Sequence, residues 1–421
     1  MRTVHRGRRL APRPFRALST LRAPSPPTES SWAGWIAGTN SSLAERKLLR
    51  DLRTFYPDSE NGTRMREGDS AEKLVVFAAN DYLGLSSHPA VRAAASAAAA
   101  AHGTGPRSSA LVCGYTSQHA ALETALAQLK GTEDALLFPT GFAANLAVLG
   151  ALATSSSTAI FSDELNHASI VDGARLASRG AGAALHIYRH NDLGHLEALL
   201  HASAAPRKLI ISDSLFSMDG DVADCTGLVA LKARHGALLC LDEAHATLVF
   251  GQHGGGIAEA QGVGEDVDLH IGTLSKAFGA HGGFVGCSTP MKRLLLSRGR
   301  AGIYSTALPL PAVAAARSAL TLATPELRRQ LWARVEAFSR IAGVPAASPI
   351  VPIIIGSEAD ALDAAEAVRG DGFLVPAIRP PTVPAGTARL RVALSAEHEL
   401  KDVEALAERV RALRPDGDET R

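Results

Sequence analysis

The stretch Gly272-Thr273-Leu274-Ser275-Lys276-Ala277-Phe278-Gly279 constrains this chain more than any other. The short apolar runs Leu269-His270-Ile271 and Phe284-Val285-Gly286-Cys287 flank it, and both read as buried strands. Lys276 therefore sits on a Ser/Gly-rich turn between two buried strands. That is a poor place for a hydrated ammonium and a good one for a desolvated amine that attacks an aldehyde. A solvated turn lysine has similar neighbours, so this turn alone does not separate the two readings.

A second feature separates them. Ala237-Leu238-Leu239-Cys240-Leu241 is an apolar run that ends in Asp242-Glu243-Ala244-His245. It reads as a strand with a carboxylate at its C-terminal edge, where open α/β sheets place their ligands. Asp242 also reads as a helix N-cap. Pyridoxal 5′-phosphate (PLP) needs a lysine for its aldehyde and a carboxylate for its pyridinium nitrogen. Asp-x-x-His followed by Ser-Lys-x-x-Gly offers both, and the pair is more specific than either part.

At these residues the chain resembles the fold-type I PLP enzymes, and within them the α-oxoamine synthases, which join an amino acid to an acyl-CoA with release of CO2. The resemblance runs from about Trp32 to Leu413. It implies an aspartate aminotransferase-like α/β fold: a large domain on a mostly parallel sheet, plus a smaller α+β domain. The expected boundaries are a leader at 1–31, a helical segment at 32–74, the PLP-binding domain at 75–318, the small domain at 319–414 and a tail at 415–421.

Composition agrees with such an enzyme and excludes other classes. The chain has 421 residues, 46% hydrophobic and 20% charged, with a net charge of +1. No bulk field invites nucleic acid or an anionic membrane, and no apolar run has the length of a membrane span. Cys113, Cys225, Cys240 and Cys287 lack CxxC spacing and read as reduced thiols, not metal ligands. The first 31 residues stand apart. Seven arginines precede the first acidic residue, Glu29, among Ser, Thr and Pro. That is the composition of an organellar transit peptide, mitochondrial or plastid; a disordered extension is the other reading.

Trp32–Tyr56 carries a helical period through Leu43, Leu48, Leu49 and Leu52, with Arg46, Lys47, Arg50 and Arg53 between them. Asn80-Asp81-Tyr82-Leu83-Gly84-Leu85 resembles the start of the large domain in the synthases. Ser117 is a candidate cap for the next amphipathic helix. Leu136-Leu137-Phe138 is a strand, and Thr140-Gly141-Phe142 opens a helix after it. Bare amides at a helix start make a ready anion site, although a plain N-cap accounts for the same residues. His167, after the strand Ala159-Ile160-Phe161, reads by itself as an ordinary satisfied polar residue. The strand Leu209-Ile210-Ile211 leads into Phe216-Ser217-Met218-Asp219-Gly220. His253-Gly254-Gly255-Gly256 has no Gly-x-Ser-x-Gly elbow to serve and reads as a flexible turn.

The last third alternates differently. In Arg389-Leu390-Arg391-Val392-Ala393-Leu394 the two arginines share one strand face. That face is either solvated or a carboxylate clamp.

The resemblance assigns roles to these positions. It makes Lys276, Asp242, His245 and His167 catalytic. Thr140, Gly141, Phe142 and Thr273 would cradle the PLP phosphate, joined by Thr306 from a neighbouring subunit of a homodimer. His167 would lie over the ring, while Ser217 and His245 would address its phenolic oxygen. Arg379, Thr382 and Arg391 would serve the amino-acid carboxylate. The run Ala377–Arg391 closely resembles the branch that condenses L-alanine with a pimeloyl thioester in biotin synthesis. Arg53, three residues before Tyr56-Pro57, would then pair with the distal pimeloyl carboxylate; a solvated helix face is the other reading. Glycine C-acetyltransferases, 5-aminolevulinate synthases and serine palmitoyltransferases are the sister branches. A non-catalytic partner subunit would ordinarily lack the lysine.

Overall fold

The computed structural model describes residues 31–58 and 61–413. The leader, apart from Ser31, and the tail at 415–421 lie outside the described residues. The chain divides into two units, Met1–Thr54 and Phe55–Arg421.

In the first unit Trp32–Glu45 is a helix. Ser31 caps it, its Oγ accepting the Gly34 N–H at 3.1 Å. The helix is shorter than the leucine spacing implied. Lys47 takes a positive φ of 53°, which turns the chain out of the helix before Leu48. Leu49 and Leu52, read as part of an apolar stripe, are exposed.

The second unit opens with strands where a helical segment to residue 74 was expected. They are β1 (Phe55–Pro57), β2 (Arg64–Glu67) and β3 (Lys73–Val76). Pro57 and the turn at Asn61-Gly62 leave no room for a helix. Eleven more strands follow: β4 (Asp134–Phe138), β5 (Thr158–Asp163), β6 (Ala184–Tyr188), β7 (Arg207–Asp213), β8 (Leu238–Asp242), β9 (Leu269–Thr273), β10 (Gly283–Cys287), β11 (Ile350–Gly356), β12 (Phe373–Leu374), β13 (Ala377–Ile378) and β14 (Ala388–Ala393).

The large sheet has seven strands in the order β4-β10-β9-β8-β7-β5-β6. Its pairs from β6 to β9 are parallel, and β10 runs against both neighbours. Helices on both faces explain why its strands are apolar without alternation. Within a strand the residues still divide between two cores. Leu209, Ile211 and Cys240 pack with Val148 and Ile271 on one face. Ile210, Leu239 and Leu241 pack with Phe161 and Leu196 on the other. This is the expected α/β architecture.

Two smaller sheets complete the unit, one ordered β1-β2-β3-β12 and one ordered β11-β14-β13. Because β12 lies parallel to β3, the strands β1, β2 and β3 share a sheet with the C-terminal region.

Two local expectations need correcting. Thr116, not Ser117, is the N-cap of the helix Ser117–Lys130, and its Oγ1 accepts the Gln118 N–H at 3.2 Å. His119 takes the capping-box position usually held by Glu. The glycine run after His253 is pinned, not loose. Glu259 accepts the N–H groups of His253 at 2.9 Å and Gly255 at 2.6 Å, and Lys130 donates to the Gly255 carbonyl. Cys225, Cys240 and Cys287 are buried, Cys113 is exposed, and all four are free thiols.

Candidate active site

The C-terminal ends of β7, β8 and β9 converge on one cleft. Asp213 and Asp242 end adjacent parallel strands and are register partners. Asp242 is buried; its Oδ1 accepts the Ala244 N–H at 2.9 Å and its Oδ2 accepts from the Asn145 amide at 2.6 Å. Burial and the neighbouring Asp242 push the Asp213 carboxyl well above its ordinary range. Asp213 also accepts the His167 backbone N–H at 2.6 Å, which fixes the start of the helix Ala168–Ala181.

Lys276 lies on the turn from β9 to β10 and lines this cleft. Burial lowers its amine to about 8, while Asp242 and Asp213 pull the other way. A measurable fraction is therefore unprotonated near neutral pH, as nucleophilic attack on an aldehyde requires.

The opposite wall is the start of the helix Gly141–Leu152, capped by Thr140, whose Oγ1 accepts the Ala143 N–H at 3.0 Å. Thr273 faces it and donates to the Gly282 carbonyl at 3.0 Å. The two walls meet through sheet register. Gly283 is the partner of Thr273 on one side and of Phe138 on the other. A β-carbon on Gly283 would fall 2.4 Å from the carbonyl of Thr140, so only glycine fits there.

His167 caps its helix, with Nδ1 at 2.7 Å from Ser169 Oγ. Burial lowers its pKa, Asp242 opposes that shift, and Lys276 adds to it. The ring is thus a neutral, solvent-reached plane at the edge of the cleft. His245 is buried; desolvation, then Lys276, Arg391 and His167, hold its pKa well below the ordinary value. Ser217 also lines the cleft, and its carbonyl accepts from Arg391 Nε.

Nine of the residues singled out from sequence line this single cleft: Thr140, Gly141, Phe142, His167, Ser217, Asp242, His245, Thr273 and Lys276. Arg391 reaches it through the Ser217 carbonyl. Arg389 and Arg391 are both buried, which overturns the solvated-face reading. Arg389 grips Asp219 and the carbonyl of Met218. Three other candidates of the second unit stand apart from the cleft lining. Arg379 lies 3.9 Å from Glu358. Thr382 is exposed, its N–H donating to the Arg379 carbonyl at 3.0 Å. Thr306 is exposed, bridges to Ser109, and lines a separate apolar cavity with Leu111 and Tyr115. Arg53 belongs to the first unit and is exposed.

Asn145, Ser169, Asp213 and Ser275 line the cleft without having been singled out. Asp213 had a signal, since it ends an apolar strand as Asp242 does. Asn145 had only its place one helical turn beyond Gly141.

The residues fit PLP. A lysine of lowered pKa can take the aldehyde, and a buried carboxylate can hold a protonated ring nitrogen. The bare amides after Thr140 suit a phosphate. Asn145 Oδ1 is buried with no protein partner, so the carboxamide beside Asp242 retains an unused acceptor.

The family described as aminotransferase class I and II matches residues 72–410. The chain belongs to that family. Among its relatives, an 8-amino-7-oxononanoate synthase of Arabidopsis thaliana is 47% identical over 375 residues, 84% of this chain and 79% of that protein. A serine palmitoyltransferase of Sphingomonas wittichii superposes with a TM-score of 0.83 at 31% identity, covering 92% of this chain and 98% of that one. A structure described as SPT with PLP internal aldimine superposes with a TM-score of 0.83 at 28% identity, over 92% of this chain and 98% of that one. No helix among the described residues is long and apolar enough to cross a membrane.

Proposed function

We propose that this family member is an 8-amino-7-oxononanoate synthase. It condenses L-alanine with a pimeloyl thioester, on CoA or a carrier protein, and releases the free thiol carrier and CO2. The observation that carries this reading is the assembly of Lys276, Asp242, His167 and His245 in one cleft of a chain 47% identical to a synthase of that name.

Bound in the cleft, PLP supplies an aldehyde and an electron sink for the amino acid's α-carbon. The protein's part follows from its own groups. Lys276 Nζ would hold the cofactor and take the proton from the substrate α-carbon, a task suited to an amine whose pKa is lowered to about 8. Asp242 holds the proton at the ring nitrogen and is itself oriented by Asn145. The neutral ring of His167 would lie over the bound cofactor and shield it from water. Arg391 would receive the amino-acid carboxylate; on the resemblance alone Arg379 and Thr382 would join it, although neither lines the cleft. Arg53, on sequence grounds, takes the distal carboxylate that distinguishes a pimeloyl chain. Arg53→Ala should then raise the KM for the pimeloyl thioester alone.

The likeness to serine palmitoyltransferase supports a second reading, a serine and long-chain acyl substrate pair. The identity of 31% against 47% favours the first. Purified protein assayed with alanine, glycine or serine against pimeloyl, acetyl and palmitoyl thioesters decides between them. Turnover confined to alanine and pimeloyl thioester supports the proposal, and preference for serine and palmitoyl thioester overturns it. The protein works as a homodimer in this reading, with Thr306 reaching the partner's phosphate site. The arginine-rich leader directs it to an organelle, which a fluorescent fusion of the full chain tests.

A further inference from the structure

His245 is tied on its far side to a chain of three residues, and the proton positions along that chain follow from chemistry. Arg391 is buried, and its Nη1 and Nη2 both lie 3.3 Å from Asn80 Oδ1. A guanidinium has only donors, so the Asn80 atom facing it is the carbonyl oxygen. This removes the usual ambiguity of amide orientation. The phenol of Tyr82 lies 3.2 Å from the same oxygen. That oxygen carries no hydrogen, so the phenol donates to it. A phenol has one proton, and burial holds Tyr82 in its protonated form by raising its pKa to about 12. With the phenol proton directed to Asn80, the Tyr82 oxygen accepts at its second contact, 2.6 Å from His245 Nδ1. Nδ1 therefore carries a hydrogen. Burial first, then Lys276, Arg391 and His167 around it, hold the His245 pKa well below its ordinary value, so the imidazole is without a second proton.

We infer that Arg391, Asn80 and Tyr82 are positioning residues that fix His245 as the Nδ1–H tautomer. Its Nε2 is then a hydrogen-bond acceptor for whatever enters the cleft. The matching ligand group brings its own proton, as a phenol or an ammonium does; a phenolate or carboxylate at that point would face a lone pair. Arg391 stands at the head of this chain and also serves the substrate carboxylate, so a carboxylate that draws its guanidinium away from Asn80 loosens the His245 tautomer. These consequences for the ligand rest on the proposed function. The tautomer does not, so it and the substrate assay can fail separately.

The test is the histidine nitrogen spectrum of full-length protein labelled with 15N-histidine, at pH 7.5, with His245 assigned from the resonance lost in His245→Gln. The expected result is a pyrrole-like shift for Nδ1 and a pyridine-like shift for Nε2. The reverse pattern, or two protonated nitrogens, would overturn the inference. Tyr82→Phe should replace the single pattern with averaged shifts, as should Asn80→Leu. Asn80→Asp, which keeps an oxygen acceptor in place, should restore it. A pure Nδ1–H pattern surviving in folded Tyr82→Phe would show that the chain does not set the tautomer.

Discussion

The carboxamide nitrogen of Asn145 lies 2.6 Å from Asp242 Oδ2 and 2.9 Å from Ser169 Oγ. The carboxylate at the end of β8 is thus held by the helix that begins at Gly141. Removing this donor leaves Asp242, among the described residues, only the Ala244 N–H. Asn145→Ala should lose about 1.5–3 kcal/mol of stability, the usual worth of a hydrogen bond to a charged group. The urea midpoint of the variant measures this, and an unchanged midpoint would show that the contact carries no weight.

Lys276 gives a pH prediction. Its amine is held down to about 8, chiefly by burial. Only the unprotonated amine condenses with an aldehyde. In cofactor-free protein the rate of condensation should rise with pH through about 8 and then level off. A solvated lysine would go on rising toward about 10.4. In the loaded enzyme, borohydride should fix PLP at Lys276, and Lys276→Ala should lose both the adduct and nearly all turnover.

Glu243 follows Asp242 in sequence but sits in a different environment. Its Oε2 takes Lys130 at 2.8 Å and His270 at 2.9 Å, and the Lys130 and Glu243 side chains have no exposed surface. Burial alone would raise its carboxyl, yet Lys130 and His270 outweigh burial and hold it at about 2, against an ordinary 4.5. The folded value is the lower one. The stabilisation is therefore complete above about pH 4.5 and is lost as pH falls toward 2. Lys130→Met removes one partner of a buried pair and should cost about 3–5 kcal/mol at pH 7. Urea denaturation at pH 7 and pH 3 would measure both effects, and the variant's deficit should shrink at the lower pH.

Arg391 is predicted to affect amino-acid binding before it affects the fold. Arg391→Lys keeps a charge but loses the planar fork that reaches Asn80 and the Ser217 carbonyl together. The KM for alanine should rise by an amount equivalent to about 1.5–3 kcal/mol, while the KM for the thioester stays near its original value. Equal rises in both constants would place Arg391 outside the carboxylate site.

The parts of this site that were legible in the sequence share one property. Asp242, Thr140, Ser217 and Lys276 each follow an apolar strand, so a local pattern marks them as strand-end residues. The α/β fold was legible for the same reason, since its buried strands carry short apolar runs. Asn145, Asn80 and Tyr82 act across the fold. Tyr82 meets a histidine 163 positions away and Asn80 an arginine 311 positions away, and no local pattern carries such pairings. The leucines at 48–52 misled in the opposite direction. Their period is helical, but Lys47 leaves the right-handed region before them, and a period without a buried face predicts nothing. The pinned turn after His253 was hidden because Glu259 and Lys130, which hold it, look like ordinary surface charges in sequence.

The register at Gly283 has a consequence for how this scaffold tolerates change. One residue is laced on its two sides to Thr273 and Phe138, and its bare α-carbon rests against Thr140. The spacing between the lysine hairpin and the start of the helix Gly141–Leu152 is therefore a gauge cut into the sheet, not a setting of the loops. Insertions in the loops at the rim leave that gauge alone. A single methyl group at position 283 would wedge its jaws apart, and a ligand gripped at both ends would be released at one of them while the strands around it stayed folded.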